Sequence, residues 1–94
     1  MNIAHYVAFD GAPFPLIDYK FNNNTVTFYV YKKHINSSTK MLIERYEGVV
    51  GILGQYDGKV AGAMGLQKCK TLSVTYTNRR YEIVVEYDHL IAGG

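Results

Sequence analysis

The chain has 94 residues, of which 48% are hydrophobic and 19% charged, with a formal net charge of +2. That length predicts one domain over residues 1–94 built on one core. Leu, Ile, Val and Phe supply 26 residues, too many for a disordered chain of such low charge, and no heptad supports a coiled coil.

The single cysteine, Cys69, has no partner for an internal disulfide. The N-terminus lacks a basic segment followed by a long apolar run, so no export signal is expected. An apolar stretch such as Gly48 to Leu53 is far short of the ~20 residues that span a bilayer. A cytoplasmic location without membrane insertion follows as the expectation. Asn23-Asn24-Thr25 and Asn36-Ser37-Ser38 match the glycosylation sequon, but outside a secretory compartment they read as turn chemistry.

In chain order, Ile3 to Phe9 predicts a first strand ended by Asp10-Gly11-Ala12-Pro13. Ile17, Tyr19 and Phe21 alternate with Leu16, Asp18 and Lys20. After Asn22-Asn23-Asn24, Val26, Phe28 and Val30 alternate with Thr25, Thr27, Tyr29 and Tyr31. Alternation of period two on both sides of an Asn turn predicts a hairpin. Ser37-Ser38-Thr39 as N-cap and Gly48 past the end bracket a short helix near 38–47, with Met41, Leu42, Arg45 and Tyr46 on one face. An edge strand is the alternative there.

Asp57-Gly58 predicts a second hairpin, with Val49 to Gln55 and Val60 to Leu66 as its glycine-rich strands. So many glycines suggest coiling, a bulge or close backbone approach. A third hairpin joins 71–77, with Leu72, Val74 and Tyr76 on one face, to 81–88, with Tyr81, Ile83, Val85 and Tyr87 opposite Glu82, Val84, Glu86 and Asp88. The fold class is therefore mainly β: a compact antiparallel sheet of 6–7 short strands folded into a small barrel or sandwich.

Candidate chemistry is sparse, and a non-enzymatic protein without cofactor or metal is expected. Cys69 lies between Lys68 and Lys70, but in a strand these neighbours point to the other face, which favours a buried thiol. His5, His34 and His89 are not spaced as a local metal site. The segment Gly48-Val49-Val50-Gly51-Ile52-Leu53-Gly54 lacks both the lysine and the spacing of a phosphate loop.

The composition favours protein contact instead, either as a homo-oligomer or as an accessory or inhibitory binder of the kind found among viral proteins. Nine tyrosines are more than a core this small can hide, and Thr27, Tyr29, Tyr31 and Tyr46 are the expected interface. A nucleic-acid-binding barrel is the first alternative, with Lys32, Lys33, Lys68, Lys70, Arg79 and Arg80 on phosphates and tyrosines stacking on bases. Against it stand the modest charge and the acids of residues 82–88.

The ending Leu90-Ile91-Ala92-Gly93-Gly94, directly after a strand, resembles the tail of ubiquitin-like and sulfur-carrier proteins. The resemblance covers about five residues. It implies a β-grasp carrier whose terminal carboxylate, on Gly94, is activated by adenylation. A hairpin at 15–33 before a helix matches the opening of that fold, while the glycine-rich hairpin departs from it.

Overall fold

The computed structural model describes residues 3–93. Seven strands form one antiparallel sheet: β1 (Ala4–Phe9), β2 (Ala12–Asn22), β3 (Thr25–Tyr31), β4 (Glu47–Tyr56), β5 (Lys59–Thr77), β6 (Arg80–Glu86) and β7 (His89–Gly93). The order β4-β1-β2-β3-β6-β5 closes through β4–β5 pairing, giving a six-strand barrel with β7 as an extra strand along β5. One helix, α1 (Ser37–Glu44), lies between β3 and β4 and packs on β5. No helix among the described residues is long and apolar enough to cross a membrane.

The hairpins arise from local chemistry. Each is closed by two residues: Asp10-Gly11, Asn23-Asn24, Asp57-Gly58 and Asn78-Arg79. Both residues of the Asp-Gly turns have positive φ, as a type I′ turn requires. That backbone twist matches the right-handed twist of the flanking strands, so each turn also sets its register.

Alternation fills the interior. Val26, Phe28 and Val30 of β3, with Ile83 and Val85 of β6, are fully buried. Val7, Val50, Ile52 and Leu66 join them from the other side of the barrel. The second face of β3, bearing Thr27, Tyr29 and Tyr31, points outward as the alternation predicts.

Three features correct the reading of the sequence. Residues 60–66 and 71–77 belong to one 19-residue strand, β5, rather than two. The strand is reset at Lys68, which has φ 53°, and again by a bulge between Thr71 and Ser73. Thr71 therefore turns inward and Leu72 outward, the reverse of the expected faces. A bulge between Leu16 and Asp18 likewise sends Leu16, not Ile17, toward the core.

The helix forms where expected, but its N-cap is Asn36, whose Oδ1 accepts the Thr39 N–H at 2.8 Å. Its buried residue is Ile43, while Met41 and Leu42 face solvent. Gly48 belongs to β4 rather than to the helix end. Its φ of +145° and the Tyr46 hydroxyl, 3.1 Å from where a Cβ would stand, leave room only for glycine.

Candidate functional site

Two surfaces combine exposure with an unusual arrangement. The first is a shallow, open cleft of about 500 Å³ lined by Tyr31, Lys32, Lys33, Tyr76 and Arg79. Tyr31 ends β3, Tyr76 lies near the end of β5, and Lys32–His34 form a single 3-10 turn between β3 and α1. The Lys32 N–H donates to the Arg79 carbonyl at 3.3 Å and draws that turn against the β5–β6 hairpin. Both tyrosines are about half exposed, at 49% and 48%.

The cations lie over the rings. Lys32 Nζ is 5.1 Å from the centre of Tyr76, and Lys33 Nζ is 5.6 Å from that of Tyr31. Deeper on the same outer face, the Arg80 guanidinium stacks on Tyr29 at 4.7 Å, with Lys20 Nζ over the same ring at 5.6 Å. Such contacts hold a cation near an aromatic face while leaving its N–H donors for another partner. Among the described residues Arg80 Nε finds no hydrogen-bond partner. Among the described residues no carboxylate comes within 4 Å of Lys32, Lys33, Arg79 or Arg80.

The basic set expected from the sequence thus divides. Lys32, Lys33, Arg79 and Arg80 gather at one end of the barrel. Lys68 shares a hollow with Glu86 and Asp88, and Lys70 stands between Glu86 and Glu47 in the sheet register. The acids of residues 82–88 therefore lie mostly beside these two lysines, away from the cleft.

The expected interface set divides as well. Thr27, Tyr29 and Tyr31 share the outer face of β3, but Tyr46 lies elsewhere and works within the fold. Its hydroxyl donates to the Val49 carbonyl and accepts the Asp10 N–H at 3.1 Å, and its ring meets Phe9 edge-on at 5.4 Å. It ties the helix exit to the β1–β2 turn.

The second surface is β7, which pairs with β5 from Gln67↔His89 to Ala63↔Gly93. The residues that resemble a carrier-protein tail form a sheet strand, and Gly94 lies outside the described residues. Among the described residues every other strand has at least two neighbours, whereas β7 has one. Leu90 and Ile91 are exposed at 40% and 54%.

Cys69 is buried, its Sγ donating to the Leu66 carbonyl at 3.2 Å. Burial pushes the thiol above its ordinary pKa, and a backbone hydrogen bond from Val50 only partly opposes it. Neutral thiol is a poor nucleophile, so the flanking lysines do not make a reactive cysteine. Among the described residues no three His, Cys, Asp or Glu side chains gather as a metal site. Compared with models of protein families and with curated proteins, the chain matches none.

Proposed function

We propose that the protein works by contact with other protein chains, and that the contact is strand addition at the free edge of β7. One observation carries this reading: among the described residues β7 is the strand with a single neighbour, and its outer row of backbone N–H and C=O groups has no strand partner there. An exposed edge is a template for another strand unless it is blocked by Lys, Pro or a bulge. Leu90, Ile91 and Ala92 carry none of these devices and add apolar surface to the backbone donors and acceptors.

A second copy of the chain is the occupant that fits. Two β7 strands related by a twofold axis through Ile91 pair antiparallel, with Ile91 facing its own copy and Leu90 facing Ala92. The uncharged run Leu90–Ala92 then brings no like charges together. The accessory or inhibitory roles considered from the sequence would use the same edge with a partner's strand.

Light scattering coupled to size-exclusion chromatography tests this. The expected result is a dimer at micromolar concentration. Ile91→Lys places two ammonium groups across the twofold axis and weakens the dimer at least ~10-fold, a loss of about 1.4 kcal/mol. Ile91→Val retains it. A protein that stays monomeric to millimolar concentration, or an Ile91→Lys dimer of unchanged strength, overturns the reading.

A further inference from the structure

We propose that the cleft between Tyr31 and Tyr76 binds single-stranded nucleic acid, with phosphates held by Lys32, Lys33 and Arg79 and bases stacked on the two rings. This site is separate from the β7 edge. The pairing of Tyr31 with Arg80 marks one end of β3–β6, and that of Thr25 with Glu86 marks the other, beyond which β7 continues.

Three observations point the same way. The first is chemical: two half-exposed tyrosines and three cations line one cleft, with no carboxylate among its lining residues. Aromatic faces accept any base, and Lys and Arg neutralise the backbone, which is the combination single strands require. A duplex keeps its bases stacked on each other and offers the rings nothing.

The second is electrostatic. A net charge of +2 gives the molecule little general attraction for polyanions, but its charges are sorted. Glu86 and Asp88 stand with Lys68 and Lys70, leaving the cleft cations without ion pairs among the described residues. By register the carboxylates nearest the cleft are Glu82, opposite Tyr29 and Thr75, and Asp18, opposite Tyr29 from β2.

The third is conformational. Two other hairpins of the barrel place glycine at the second turn position, Gly11 and Gly58, where φ is positive. The β5–β6 turn places Arg79 there, with φ 62°. A side chain in the left-handed region is strained, and such strain persists where the residue is wanted for another reason. Arg79 lines the cleft, and its carbonyl anchors Lys32.

Fluorescence anisotropy with labelled oligothymidylate, a duplex of equal length and a polyglutamate peptide tests the proposal. The single strand should bind tightest, with log K falling against log salt at a slope of about −2 for three phosphates neutralised. Tyr76→Ala should weaken binding ~10-fold through lost stacking, and Lys32→Glu should weaken it further. Arg79→Gly separates function from structure, because relieving the backbone should raise the melting temperature while lowering oligonucleotide affinity. Absence of binding at low salt, equal affinity for the duplex, preference for the acidic peptide, or unchanged affinity in Arg79→Gly each overturns it.

Discussion

Thr71 shows how one residue reports on the barrel's construction. It is buried and faces Val85 across the β5–β6 ladder, and its Oγ1 has no hydrogen-bond partner among the described residues. An unsatisfied buried hydroxyl forfeits its hydration without compensation. Thr71→Val keeps the branched shape and removes the oxygen, so it should stabilise the fold by ~1 kcal/mol and raise Tm by about 4–8 °C in a domain of this size. Thermal and denaturant unfolding check this, and a lower Tm would assign the hydroxyl a partner. The backbone N–H of Thr71, donating to the Tyr46 carbonyl, is untouched by the change. Tyr46 itself shows why residue roles were only partly legible. Its type suggested an interface, but its partners, the Asp10 N–H and the Val49 carbonyl, come together only once the barrel closes. Tyr29 and Tyr31 lie on the outer face of β3, which is legible because alternation alone decides which side of a strand they occupy.

At the scale of elements, legibility follows from how local the determining chemistry is. Asp10-Gly11 marks the end of β1 without showing that β2 folds back on it. Asp57-Gly58 and Asn23-Asn24 contain their own conformational preference, so those hairpins could be read from a few residues. The long strand β5 could not, because bulges at Lys68 and Leu72 shift the phase of its alternation and mimic the end of one strand and the start of another. No local signal announces the pairing of β1 with β4 or of β3 with β6, which joins strands distant in sequence and completes the barrel. The helix falls between these cases. With eight residues it would not hold alone, and burial of Ile43 against the barrel sustains it. Its N-terminus relies on Asn36, so Asn36→Ala should cost about 1 kcal/mol while Asn36→Asp keeps most of the stability. Urea unfolding of the two variants gives the comparison, and equal midpoints for Asn36→Ala and the parent would show the cap to be dispensable.

Across the whole molecule, the two surfaces are set apart by the barrel itself, within overall dimensions of 31 × 29 × 22 Å. The β5–β6 turn carries Arg79 at one end of a long bent hairpin, and β7 extends the opposite arm along Ala63–Gln67. A closed barrel transmits little between such points unless a strand changes register, and here each hairpin's two-residue turn holds its register. Mutations at sites that share no partner usually add within about 0.3–0.5 kcal/mol. Ile91→Lys should therefore weaken self-association and leave affinity for a short oligonucleotide unchanged, while Arg79→Gly should do the reverse. The double variant should show both losses, each of the size seen alone. A longer strand able to reach two clefts is different: in the dimer it gains avidity by binding both, and Ile91→Lys should remove that gain. Anisotropy titrations with short and long oligothymidylates, run on all four proteins, separate these outcomes. Coupling between the two single variants on the short strand would mean that strand addition at β7 reshapes the cleft.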